Sequence, residues 1–186
     1  MNTWLLRAGE KGKYWKGFQD NNEIYLDFAG ADFDLSLAND QEIKEKIDTP
    51  NHGGTLIRFY KDMKIGDIVY IIGENKTLLA KAKVTSDYQY NKQGRDADNN
   101  HHVRKVEFLK VGAWSAKKIN FSQYTLVNWT NKLKEIQVLN SLIENKEGKS
   151  MEQVSVLGKQ LSISKNIILH GAPGTGKTYL CLLYTS

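Results

Sequence analysis

Cysteine occurs once in 186 residues, at Cys181, so an intrachain disulfide is excluded. The four histidines (His52, His101, His102 and His170) therefore lack the thiolate company of most structural zinc sites. No apolar run approaches the ~20 residues that span a bilayer, so no membrane partner is expected. The N-terminus also lacks the basic-then-apolar layout of a secretory signal, which makes the cytoplasm the expected compartment. No internal repeat is visible. What is present, 40% hydrophobic and 25% charged residues, is the composition of a soluble globular chain. The length allows one ordinary domain, or one domain and a fragment.

The net charge of +5 is unevenly spread. Residues 20–62 hold four Lys/Arg against ten Asp/Glu (net −6), and residues 76–118 hold ten against four (net +6). A domain with one positive face would follow, which is a footprint for a phosphate backbone. The same numbers also fit solvated charge that balances within the molecule.

The pattern along the chain predicts an α+β fold. Trp4-Leu-Leu-Arg7 opens it as a strand, and the Gly/Lys stretch from Gly9 to Gly17 reads as a loop. Glu23 to Phe28 alternates like a half-buried strand. Asp40 to Ile47 is a short helix capped by Asn39 or Asp40 and followed by Pro50. Gly66 to Ile72 and Thr77 to Thr85 read as a hairpin, and Val103 to Val111 as a further strand, with 91–100 as loop. Short strands with few helices suggest a small mixed barrel over residues 1–125. Leu126, Trp129, Leu133, Ile136, Leu139 or Asn140, and Ile143 recur at three- and four-residue intervals, so residues 126–160 are expected to be a helical linker. Residues 161–186 read as the start of another domain.

That last segment carries the strongest motif. Asn166-Ile-Ile-Leu-His170 runs straight into Gly171-Ala-Pro-Gly-Thr-Gly-Lys-Thr178, a buried-strand pattern entering a complete phosphate loop. Gly171, Gly174 and Gly176 allow the tight turn that aims backbone N–H groups at phosphate oxygens, across Ala172, Pro173 and Thr175. Lys177 is placed for the β/γ-phosphates and Thr178 for Mg²⁺ carried with ATP or GTP. No downstream acidic residue or arginine finger follows within residues 179–186, so the segment is expected to be a signature without catalysis.

Ahead of it, Trp4, Arg7, Tyr14, Trp15, Tyr88, Tyr90, Arg104 and Trp114 lie among glycines and lysines. Aromatics beside cations can stack on an extruded base while the cations hold its phosphates. Trp4 and Trp114 equally fit the core of a small barrel. Asp67, Glu74 and Lys76 match the spacing of Mg²⁺-dependent nucleases, but Glu74 and Lys76 fall in the turn after Ile72, where a solvated hairpin tip explains them. His101 and His102 are a poor metal pair, because adjacent strand residues face opposite ways.

Two regions resemble one architecture. The segment from Asn166 to Tyr179 is similar to the start of the AAA+ module in McrB-type motor subunits of modification-dependent restriction systems, with Ala172 in place of a frequent proline. Trp4-Leu-Leu-Arg-Ala-Gly9 with Trp15, Met63 to Tyr70, and Asp87-Tyr-Gln-Tyr90 leading to His102-Val-Arg-Lys-Val106 resemble the EVE/PUA-like domains placed ahead of such motors. Members of that group are small barrels that read modified bases, some by flipping the base into an aromatic pocket. The resemblance implies an N-terminal fragment of a McrB-like NTPase: a reader of modified duplex DNA, a homo-oligomeric ring and a partner nuclease subunit. The alternative is a protein- or RNA-binding adaptor on a general AAA+ ATPase. Residues 180–186 depart from the motor pattern and resemble a translated sequencing adaptor, so Cys181 is expected to be non-native.

Overall fold

Trp4 and Leu6 point into one hydrophobic cluster and Leu5 into a second, so the first strand is buried on both faces. The computed structural model describes residues 1–26, 28–47, 49–93 and 101–144. The phosphate-loop expectation at 171–178 and the remainder of the expected linker lie outside them.

The elements follow in the order β1 (Thr3–Arg7), α1 (Trp15–Asn21), β2 (Glu23–Leu26), α2 (Asp40–Lys46), α3 (Pro50–Ile57), β3 (Ile68–Ile72), β4 (Thr77–Val84), β5 (Gln89–Tyr90), β6 (His102–Ser115), β7 (Leu126–Asn128) and α4 (Leu133–Glu144). The strands form one mixed sheet in the order β2-β6-β4-β3-β1-β7, with β5 also on β6. β1 and β3 are parallel, and the other pairs are antiparallel. Register shifts interrupt β3–β4 once and β4–β6 twice. Each such irregularity adds bend and twist, and the 14-residue β6 reaches β2 and β5 at one end and β4 along its length. The α+β class holds. The path is that of a bent open sheet with β2 and β7 as its ends.

Local signals account for several elements. Asn39 caps α2 through a reciprocal box: its Oδ1 accepts from Gln41 N and Glu42 N, and Glu42 Oε2 accepts from Asn39 N at 2.8 Å. Pro50 does follow α2, but it opens α3 at the first helical position, where its missing N–H costs nothing. The Gly9–Gly17 loop expectation is corrected: it contains a single 3₁₀ turn and the start of α1, which is anchored by buried Trp15 and Phe18. All four residues of β2 are buried, so it is not a half-buried strand.

The second correction concerns the linker. Leu126, Val127 and Asn128 are a strand paired antiparallel to β1, and helix begins only at Leu133. That helix lies against the sheet. Leu139 is buried in the second cluster, and Asn140 Oδ1 accepts from Tyr70 Oη at 2.7 Å and Lys81 Nζ at 2.9 Å.

Candidate nucleic-acid interface

Three tyrosines from separate segments converge on a cleft of about 300 Å³, with Asp34, Ser36, Lys64, Asp87 and Arg104 completing its walls. Tyr60 comes from the π-helical turn Arg58–Asp62 that follows α3, Tyr88 from the segment before β5, and Tyr90 from β5 itself. The rings of Tyr60 and Tyr88 lie 4.9 Å apart at 57°.

Each wall is held from behind. Tyr88 Oη accepts from Leu35 N at 3.2 Å and donates to His102 Nδ1 at 2.9 Å, while His102 Nε2 donates to Ala31 O at 2.8 Å. Those roles follow from Ala31 O, which can only accept and so places the proton on Nε2, leaving Nδ1 of a neutral ring to accept; burial pushes the His102 pKa down to about 4. Burial likewise raises the Tyr88 phenol above its ordinary value. Tyr90 Oη donates to Asp32 O at 2.6 Å. Asp34 caps the short turn Leu35–Leu37 by accepting from Ser36 N at 2.9 Å, which fixes the carboxylate beside the cleft.

Arg104 is 1% exposed, and its guanidinium ties three backbone segments together. Nε donates to Phe59 O at 2.8 Å, Nη2 to Tyr60 O at 2.7 Å and Nη1 to Ser86 O at 3.0 Å. Burial lowers its pKa, opposed by the charges of Asp87 and Asp67. It therefore sets the position of Tyr60 and of the chain leading to Tyr88. Lys64 is the exposed cation of the cleft wall.

Of the residues singled out from sequence, the structure brings Tyr88, Tyr90 and Arg104 to this cleft and takes the tryptophans elsewhere. Trp4 is fully buried and donates Nε1 to Asp67 Oδ2 at 2.8 Å. Trp15 packs edge-on against Phe108 at 5.6 Å, and Trp114 belongs to the second cluster. Their ring faces are spent on packing, which corrects the expectation that they offer stacking surfaces to a base. Arg7 is half-buried, with Nε and Nη2 both donating to Ser122 O, and it lines a different hollow with Glu10 and Glu74.

The nuclease-like trio does not converge. Asp67 is 2% exposed and accepts from Asn2 N, Trp4 Nε1 and Lys64 N, so it is a structural hub. Glu74 and Lys76 sit exposed in a turn past the far end of β3. Among the described residues no group of three or more His, Cys, Asp or Glu could hold a metal ion. No described helix is long and apolar enough to cross a membrane.

Tyr60 of the cleft and His102 behind its wall were not expected at a base-binding site. Tyr88 and Tyr90 are two apart on extended chain and share a side, and His102 stands opposite Tyr90 in the β5–β6 register. Tyr60 had no comparable signal.

A family model described as "Domain of unknown function (DUF8426)" matches residues 4–128. No curated protein matches the chain. Among solved structures, the chain is similar to the Mmi1 YTH domain in complex with RNA, at 9% identity, covering 80% of this chain and 83% of that one with a TM-score of 0.49. It is also similar to Rpa0253 from Rhodopseudomonas palustris (12% identity, 77% and 94% covered, TM-score 0.45). A third is the YTH domain of the Zygosaccharomyces rouxii MRB1 protein with N6-methyladenosine RNA (11% identity, 74% and 85% covered, TM-score 0.41).

Proposed function

This chain belongs to the DUF8426 family, and from its own site we propose that residues 1–128 bind nucleic acid by taking one base into the Tyr60–Tyr88–Tyr90 cleft. The carrying observation is the tilted Tyr60–Tyr88 pair at 4.9 Å, with Tyr90 beside it and polar groups at the rim. Base–aromatic stacking contributes about 1–3 kcal/mol per base. Carboxylate and hydroxyl groups of Asp34, Asp87 and Ser36 supply acceptors for the ring edge. A volume of about 300 Å³ is at the lower end of the roughly 300–1,000 Å³ of small-ligand clefts. That suits a single planar group and not a dinucleotide.

The preferred ligand is modified duplex DNA, with the modified base extruded into the cleft at a cost of a few kcal/mol that stacking offsets. The EVE/PUA-like character of the front domain is part of this proposal. So is the McrB-like role: Gly171 to Thr178 would bind ATP or GTP with Mg²⁺ in an AAA+ ring and drive a partner nuclease.

Titration of the chain against methylated, hydroxymethylated and plain duplexes, and against single-stranded RNA, tests the reading. A preference for one modified duplex that Tyr60→Ala abolishes supports it. Equal affinity for all ligands, unaffected by Tyr60→Ala, ends it, and tighter binding of RNA than of any duplex replaces DNA by RNA.

A further inference from the structure

Helix α3 and strand β7 face one another across an open groove of about 410 Å³, lined by Asn51, Gly54 and Arg58 on one side and by Tyr124, Leu126, Val127 and Asn128 on the other. The first three positions are spaced i, i+3 and i+7, one face of a continuous helical run. β7 is an end of the sheet and pairs only with β1. On that inner side Arg7 N donates to Thr125 O at 2.9 Å and Trp129 N to Thr3 O at 2.7 Å, with Leu5 opposite Val127. Bonded and non-bonded pairs alternate along an antiparallel ladder. Positions 125, 127 and 129 thus spend their backbone groups on β1, and Leu126 and Asn128 turn theirs outward. Two further observations mark the groove as a receiving surface. Among the described residues Arg58 is exposed and is the only charged residue lining it, and its guanidinium has no hydrogen-bond or ion-pair partner. A Cβ built at Gly54 meets nothing within 4 Å.

We propose that this groove accepts an extended acidic segment of a partner protein as an added β-strand. The backbone of the segment pairs with Leu126 and Asn128, and one of its side-chain carboxylates meets the Arg58 guanidinium. Strand addition at a sheet end takes its affinity from main-chain hydrogen bonds and its selectivity from the side chains alongside. A lone cation in an otherwise neutral groove selects for negative charge, and bidentate geometry favours a carboxylate. The surface is separate from the tyrosine cleft, although the turn Arg58–Asp62 serves both, with Arg58 in the groove and Tyr60 in the cleft.

The test uses the ¹⁵N-labelled full chain and a short valine- and threonine-rich peptide with one central glutamate, beside a counterpart with lysine in its place. Saturable shifts of the Leu126 and Asn128 amides are expected with the glutamate peptide and not with the lysine one. Arg58→Glu is expected to weaken binding by about tenfold or more. Gly54→Leu fills the groove from a helical position with room for the side chain, and it improves helix propensity. It is expected to block the peptide while leaving the thermal midpoint unchanged or raised. Tyr60→Ala leaves peptide binding intact, which separates this surface from the base-binding reading. The proposal is overturned by an absence of shifts at those amides at millimolar peptide, by equal binding of the lysine peptide, or by undiminished binding to Arg58→Glu.

Discussion

The Tyr88 hydroxyl donates to His102 Nδ1 at 2.9 Å, which makes a fully buried histidine the support of a cleft wall. The bond requires neutral imidazole, because a protonated ring offers only donors. Burial pushes the His102 pKa down to about 4 from the ordinary 6.5. The folded state therefore binds this proton less readily than the unfolded chain does. Its stabilising contribution is complete above about pH 6.5 and is lost as pH falls toward 4, by up to ~3 kcal/mol. Urea midpoints measured at pH 7.0, 5.5 and 4.5 should fall steeply for the native chain and less steeply for His102→Gln. Parallel slopes for the two proteins would rule His102 out as the source.

Tyr60 stands across from Tyr88, half-buried against the first cluster, with Lys61 Nζ 5.8 Å from its ring centroid, and its hydroxyl holds no hydrogen bond among the described residues. Tyr60→Ala is expected to weaken base binding by about 1–3 kcal/mol, or roughly five- to 150-fold. Tyr60→Phe keeps the ring and should stay within a few-fold of the native affinity. Fluorescence anisotropy with a labelled oligonucleotide reads both, and an equal loss for Tyr60→Phe and Tyr60→Ala would show that the hydroxyl matters and the ring does not.

How much of this was legible depends on how local each signal is. The β3–β4 hairpin, the Asn39 cap and the turn placement of Glu74 and Lys76 are written in neighbouring residues, and the structure keeps all three. The β7 error has the opposite cause. Leu126, Trp129 and Leu133 repeat at helical spacing, but Leu126 joins the first cluster and Trp129 the second, which one face of a helix could not do. Pairing with β1, more than a hundred residues earlier, decides the conformation. The cleft was half legible for the same reason. Tyr88 and Tyr90 lie two apart on one short stretch of chain, while Tyr60 comes from a distant turn whose carbonyl Arg104 holds.

Trp4 and Asp67 give a prediction about stability and not about binding. Removing the indole opens a cavity in the main core and leaves a buried carboxylate short of a donor, so Trp4→Ala should cost about 3–5 kcal/mol. Trp4→Phe fills most of the space and isolates the lost hydrogen bond, at about 1–3 kcal/mol. Base affinity, measured on the fraction that remains folded, is expected to be unchanged in Trp4→Phe. A selective loss of binding at native stability would instead return Trp4 to the interface.

Arg104 tests whether the cleft is held by a cation or reads phosphate with one. All three of its guanidinium nitrogens that form bonds are committed to Phe59 O, Tyr60 O and Ser86 O. An ammonium cannot span that fork. Arg104→Lys should therefore destabilise the fold by about 1–3 kcal/mol through unsatisfied carbonyls, although it preserves the charge. It should also weaken base binding, because Tyr60 loses its anchor. A direct phosphate contact behaves differently: it survives a lysine, and its removal lowers the slope of log affinity against log salt by about one. Titrations of Arg104→Lys and Arg104→Met at several salt concentrations separate the two. An unchanged slope in both, with weakened binding in both, marks Arg104 as a positioning residue, whereas a reduced slope in Arg104→Met alone would place its charge on the backbone of the bound nucleic acid.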